Sequence, residues 1–167
     1  MNFRHCAISI ALTCLSPAAA RDFVHPGATY SQSDLDRMRA MVETRQEPYY
    51  STFLKLKDSG YSRLVERDRG TSIPEGKFNQ TVGDDGRRAH DMALLWHITG
   101  DNTYADNVVK ILNWSSRYTN TSSRGTAALD NGKIYLLIEA AELMRDYPGW
   151  AEEDKQRFKA VSYTHLT

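Results

Sequence analysis

The apolar positions of this chain of 167 residues recur at helical spacing, most clearly between residues 84 and 114. A first set shares one helical face at i, i+3, i+4 and i+7: Ala89, Met92, Ala93 and Trp96. A second set follows the same template: Tyr104, Val108, Ile111, Leu112 and Ser115. Gly100 between them fits the left-handed end of one helix, and Asp101 fits the cap of the next. The pattern predicts an antiparallel helix hairpin.

The same reasoning predicts four further helices. Ser31 with Asp34 predicts the start of a first helix that runs through about Arg45. Pro48 suits the first turn of a second helix, which stops near Gly60. A fifth helix is expected over 129–146, apolar on nearly all sides and therefore buried on most of them. A sixth runs over 151–161. No β alternation is visible, so we predict an all-α array of stacked antiparallel helix hairpins, either a solenoid or part of an incomplete α/α toroid.

The two ends of the chain lack the amphipathic helical pattern of its middle. Residues 1–20 combine a short basic start, an apolar run and a small-residue cleavage site, which predicts a secretory signal peptide and a periplasmic or secreted protein. A buried N-terminal helix is the alternative. The domain is expected to span 21–161, and 162–167 to be a non-native tail on a truncated fragment, with a natural short C-terminus as the alternative.

Composition narrows the classes of partner. The chain has 21 basic and 21 acidic residues, so no net charge points to nucleic acid or to a membrane surface. Both cysteines, Cys6 and Cys14, lie in the predicted signal peptide. No metal-ligand spacing, phosphate loop or nucleophile motif occurs, and we therefore predict no metal and no cofactor.

Two long loops, 59–83 and 118–128, carry most of the candidate chemistry. Because alternate helices of an antiparallel array point the same way, the N-termini of the third and fifth helices share one face, and these loops lead into them. Helix N-termini favour anions, so this face suits a ligand with carboxylates. The candidate substrate-binding residues on it are Tyr61, Arg63, Asn79, Arg87, Arg88, His90, Arg124, Asn131 and Tyr135. Ordinary solvated helix ends would look similar.

Several of these residues have a structural alternative. His90 is either a general base or a boundary residue with a satisfied hydrogen bond. Arg87 and Arg88 either clamp a ligand or pair with acidic residues at helical spacing. The pair at 84–85 is predicted to cap the third helix. His97, near the end of that helix, is predicted to be structural, at a position where the helix dipole favours a cation.

Three stretches of the chain together form a recognisable order of motifs. They are FVHPG at 23–27 with QSDLDR at 32–37, DGRRAHDMALLW at 85–96 with TGDNTYA at 99–105, and LDNGKIYLLIEAAELMRDYPGW at 129–150. In this order they resemble secreted proteins with an alginate-lyase-type domain. The resemblance implies an exported polysaccharide lyase on an incomplete α/α toroid. Such an enzyme cleaves a uronan of the alginate or glucuronan type by β-elimination.

The resemblance also implies where the chemistry lies. The family's catalytic Asn/His pair and Tyr come from later helices, so we carry over no catalytic residue and expect the fragment alone to be inactive. An early loop that acts as a lid in the family corresponds to 59–83, which makes Tyr61 and Arg63 candidate substrate contacts. Two alternatives stay open: a helical-hairpin module that binds glycans or proteins, and a toroid glycoside hydrolase with a separated pair of acids.

Overall fold

A computed structural model describes residues 23–73, 82–121 and 134–166, and the described part is all-helical apart from one very short strand pairing. Its helices are α1 (Gln32–Glu43), α2 (Tyr49–Asp58), α3 (Asp84–Thr99), α4 (Asn102–Ser115), α5 (Tyr135–Leu143) and α6 (Glu152–Leu166). Two-residue strands, β1 (Ser72–Ile73) and β2 (Asn120–Thr121), pair in parallel. The prediction of an all-α protein is confirmed.

The predicted ends of α1 and α2 are close to the observed ones. Ser31 caps α1, accepting a bond from the Asp34 amide while the Asp34 carboxylate accepts one from the Ser31 amide. The Ser31 hydroxyl and then the Arg37 guanidinium hold the pKa of Asp34 at about 2. Pro48 immediately precedes α2, in which no residue is fully buried. Local capping chemistry therefore sets the start of α1, and Pro48 marks the start of α2.

The hairpin of α3 and α4 is confirmed in detail. Gly100 ends α3 with φ +73°, a left-handed conformation that glycine adopts without the cost of a side chain. The Asp101 carboxylate then accepts a 2.9 Å bond from the Thr103 amide at the start of α4. Both predicted apolar faces enter the core, although Trp96 is only half-buried.

Helix α3 is the centre of the structure, packed against α1, α4 and α5. Near its start, a Cβ on Gly86 would lie 3.4 Å from atoms of Leu136 and Leu137 at the start of α5. Near its end, His97 Nε2 lies 2.9 Å from the Leu143 carbonyl oxygen at the end of α5. The two helices are therefore parallel, as the alternation of helix directions predicts.

Helix α5 differs from its prediction. The expected span was 129–146, whereas α5 covers Tyr135–Leu143 and is followed by a turn, and 129–133 lie outside the described residues. Its buried residues, Leu137, Ala140 and Leu143, form one face. The expectation that it is buried on most sides is met only in part, because Tyr135 is exposed and the flank with Ile138 and Ala141 is half-buried along an open groove.

Beyond α5, side-chain hydrogen bonds hold the start of α6 against α4. Trp150 Nε1 donates to Asn113 Oδ1 at 3.0 Å, and Asn113 Nδ2 donates to Asp154 Oδ2 at 2.9 Å. The helix continues to Leu166, past the point where the apolar pattern fades at about 161. The expected tail is thus helical over 162–166.

A buried ion pair anchors the loop that precedes α3. Asp85 Oδ2 accepts a 2.7 Å bond from Arg69 Nε, and Asp85 Oδ1 accepts a 3.1 Å bond from Arg69 Nη2. The two side chains are 1% and 2% exposed, and the Arg69 guanidinium lies 3.6 Å from the centre of the Trp114 ring. The prediction that 84–85 cap α3 is wrong, since Gly83 takes the cap position without a side-chain bond. Burial next to two arginines, Arg67 and Arg69, gave Asp85 stronger partners than the backbone.

The two long loops meet on one face, as predicted. The Thr119 amide donates a 2.9 Å bond to the Thr71 carbonyl oxygen, directly before β1 pairs with β2. This pairing has no signal in the sequence, because two residues are too few to show alternation.

Replacing Arg69 with methionine should lower the free energy of unfolding by about 3 kcal/mol, because a buried carboxylate loses its main partner. Methionine keeps an unbranched stem over the Trp114 ring. Urea unfolding followed by circular dichroism measures the change.

The matched control is Arg157→Ala, which removes an exposed arginine paired with acids on its own helix. That change should cost less than about 1 kcal/mol. Equal losses in the two variants would contradict a structural role for the buried pair.

Candidate functional site

Two arginines of α3 flank one loop tyrosine. The Arg87 Cζ atom lies 4.4 Å from the centre of the Tyr61 ring, and the Arg88 Cζ atom lies 5.0 Å from it. The Arg87 side chain is 57% exposed. Tyr61, Arg87 and Arg88 form what we call the arginine–tyrosine surface, which presents a cation beside an aromatic ring.

The two arginines have different partners. Arg88 Nη1 donates to the Gly60 carbonyl oxygen at 2.5 Å and to the Arg63 carbonyl oxygen at 3.2 Å. Arg87 makes a longer contact, 3.7 Å from its Nε to Asp91 Oδ2. Arg88 therefore holds the loop in place, whereas the remaining N–H groups of Arg87 have no hydrogen-bond partner among the described residues.

His90 lies next to this surface on α3, with a side chain that is only 14% exposed. Its Nδ1 lies 3.4 Å from Asp91 Oδ1, and its ring centre lies 6.0 Å from that of Tyr30. Burial, and then Glu139 and Asp91, raise the pKa of Tyr30, so this phenol stays protonated and able to donate. The Asp91 carboxylate thus lies between Arg87 and His90, and Tyr30 lies next to the His90 ring.

The predicted site residues are only partly brought together. Tyr61, Arg87, Arg88 and His90 share one surface, and Arg63 joins it through its backbone while its side chain is exposed. Tyr135 is 57% exposed on α5, close enough to Tyr30 to raise the pKa of that residue. Three predicted residues lie outside the described part of the chain: Asn79, Arg124 and Asn131.

Two residues next to this surface, Tyr30 and Asp91, were not among the predicted substrate-binding residues. The i, i+4 spacing of Arg87 and Asp91 is a signal for their pairing, and Asp91 is one of the acidic residues at helical spacing that were expected to pair with the arginines. Tyr30 had no signal, because its contact with His90 joins positions 60 residues apart in sequence.

The first turn of α3 already carries a buried carboxylate of the protein itself. Asp85 lies there and is held by Arg69 and Arg67, so a negative charge is already present near the positive end of the helix. Nearby Tyr118 is buried, and its hydroxyl has no hydrogen-bond partner among the described residues. Burial and then Asp85 raise the pKa of Tyr118, which keeps the phenol neutral.

A second feature is a groove of about 640 Å³ between the N-terminal segment, α5 and α6. His25 contacts two residues that line this groove, with Nδ1 2.5 Å from Glu142 Oε1 and Nε2 2.7 Å from Arg145 Nη1. Since Arg145 can only donate, Nε2 must accept and Nδ1 must carry the proton. The HPG stretch therefore has a structural role in docking the N-terminal segment onto α5.

His97 is structural, as predicted, but it is not held as a cation. Its Nε2–H donates to the Leu143 carbonyl oxygen, and its own carbonyl oxygen accepts from Arg39 Nε at 2.8 Å. Burial lowers the pKa of His97, and the bond to Leu143 opposes this effect only in part. Desolvation therefore outweighs the hydrogen bond to Leu143 at this position.

No set of three His, Cys, Asp or Glu residues is placed to hold a metal ion within 23–73, 82–121 and 134–166. Over the same residues, none of the helices has both the length and the apolar character needed to cross a membrane. Comparisons with protein-family models, with curated proteins and with solved structures give no match for this chain. Any functional conclusion therefore depends on the residues and their geometry.

Because the pKa of His97 is lowered by folding, the unfolded chain takes up the proton first as the pH falls. Stability linked to His97 should be complete above about pH 6.5, the ordinary histidine pKa. It should decrease as the pH falls from there through the lowered pKa of the folded state.

His97→Gln keeps a side-chain N–H for Leu143 without a titrating group, so its stability should fall less between pH 7 and pH 5. Melting temperatures measured across that range for both proteins test this expectation. Parallel curves would show that His97 does not contribute to the acid sensitivity.

Proposed function

We propose that the chain binds an anionic, uronate-containing polysaccharide at the arginine–tyrosine surface, as part of an exported lyase that acts by β-elimination. The observation that carries the proposal is Arg87, an exposed guanidinium 4.4 Å from the centre of the Tyr61 ring. A uronan presents a carboxylate on each acidic sugar, and a guanidinium is the protein group best suited to bind a carboxylate with two hydrogen bonds.

The aromatic ring complements this cation. Tyr61 offers a flat apolar face with a polar hydroxyl, which matches the mixed character of a sugar ring. Both arginines limit the movement of the ring, and Arg88 also holds the backbone on either side of it. A side chain that is ordered before binding loses less conformational entropy when the ligand arrives.

The segment that contains Tyr61 is connected to α3 at two places, which limits its movement as a lid. Residues 65–69 are tied to α3 by the buried Arg69–Asp85 pair, and 60–63 are tied to it by Arg88. A lid movement of 59–73 would have to break both connections. We therefore propose that this segment acts as a fixed wall of the binding surface.

The reaction proposed for the lyase is a β-elimination. The proton on C5 leaves, the bond from C4 to O4 breaks, and a double bond forms between C4 and C5. A cation must offset the charge of the neighbouring carboxylate, a base must take the proton, and an acid must protonate the leaving oxygen. We assign Arg87 to the carboxylate. The resemblance assigns the base and the acid to later helices.

We further propose that the helices form part of an incomplete α/α toroid. The support is the parallel arrangement of α3 and α5 with α4 returning between them, which brings the loops before α3 and α5 to one face. A ring of such hairpins would gather further loops on that face around a groove.

Arg87→Ala should weaken binding of an alginate or glucuronan oligosaccharide by about 10- to 100-fold, as expected for loss of one charge-assisted contact. Isothermal titration calorimetry at low salt measures it. Arg157→Ala is the matched control, because it removes an arginine that also has an i, i+4 acidic partner but lies on α6. Equal weakening in both variants, or equal binding of a neutral glucan by the unmodified chain, would refute the proposed site.

The type of reaction is tested by following ultraviolet absorbance of a uronan mixed with the full-length protein. Elimination yields an unsaturated, absorbing product, whereas hydrolysis yields new reducing ends without that absorbance. Binding with neither signal would favour the glycan-binding module over the lyase.

A further inference from the structure

Asp91 lies under the arginine–tyrosine surface and contacts the side chains of Arg87 and His90. The residue is 9% exposed. Its Oδ2 lies 3.7 Å from Arg87 Nε, and its Oδ1 lies 3.4 Å from His90 Nδ1. One carboxylate thus joins the exposed cation to the adjacent imidazole.

We infer that Asp91 is the positioning residue of the binding surface, an inference that rests on the proposed function. Its carboxylate holds the Arg87 guanidinium beside Tyr61 and orients the His90 ring. A long arginine side chain has many rotamers, and an ion pair at i, i+4 selects among them. Arg87 therefore meets a sugar carboxylate in an arrangement that already exists before binding.

The same contact decides the chemistry of His90. An ionised carboxylate only accepts hydrogen bonds, so in the neutral imidazole Nδ1 carries the proton and Nε2 carries the lone pair. His90 Nε2 then accepts a hydrogen bond, for instance from a sugar hydroxyl. The surface so defined offers a donor for carboxylates at Arg87 and an acceptor for hydroxyls at His90, the two polar groups that a uronan presents.

Positioning and simple electrostatics predict opposite results when the charge of Asp91 is removed. A carboxylate near a cationic site lowers the local positive potential, so its loss alone would strengthen the binding of an anion. If Asp91 acts by holding Arg87 and His90, its loss weakens binding. The sign of the change therefore separates the two roles.

The test compares Asp91→Asn with Asp84→Asn. Asp84 lies seven residues earlier on the same helix and the same face, and its side chain forms no ion pair or hydrogen bond within the described part of the chain. Both changes remove one negative charge and keep the side-chain shape. With a glucuronan or alginate oligosaccharide as the probe, we expect about tenfold weaker binding for Asp91→Asn and equal or tighter binding for Asp84→Asn. Unchanged or tighter binding by Asp91→Asn overturns the inference.

A second measurement does not depend on the ligand. Nitrogen-15 NMR of histidine-labelled protein should show His90 with its proton on Nδ1 in the unmodified chain, and a redistribution toward Nε2 in Asp91→Ala. A proton on Nε2 in the unmodified chain overturns the inference even where a uronan binds. Absence of uronan binding with the Nδ1 proton present would refute the proposed function and leave the orienting role of Asp91 supported. Circular dichroism and thermal unfolding establish that each variant is folded.

Discussion

The buried pair of Arg69 and Asp85 is the interaction on which the rest of the binding face depends. An isolated charge in a protein interior is strongly unfavourable, so each of these groups requires the other. The pair joins the loop before α3 to the first turn of that helix, and the Arg69 guanidinium also covers the Trp114 ring of α4. Three separate parts of the chain are thereby fixed around one point.

The arginine–tyrosine surface is a consequence of this anchoring. With the loop tied down at 65–69, the preceding residues run along α3, where Arg88 holds their carbonyl groups. Tyr61 is therefore held next to Arg87, whose guanidinium stays exposed. Only one of two adjacent arginines is available for a ligand, because the other has become part of the scaffold.

The close contact of α3 with α5 fixes the other side of this face. Gly86 lets the starts of the two helices approach, and the bond from His97 to Leu143 joins their ends. In this parallel arrangement both loops lie on the same face, where β1 and β2 pair. The neighbourhood of Tyr30, His90 and Glu139 arises from the same contact, since it brings α5 beside the middle of α3.

The local elements were determined by the sequence itself. The positions of α1 to α4, the capping box at Ser31 and the left-handed Gly100 follow from spacing and caps, which act over a few residues. The partners of polar side chains were decided only by the tertiary structure. Asp85 was expected to cap a helix and instead binds an arginine 16 residues earlier, and His25 binds Glu142 across 117 residues. A short-range pattern indicates which face of a helix is buried. The partner of a buried polar side chain depends instead on which distant residues folding brings next to it, away from water.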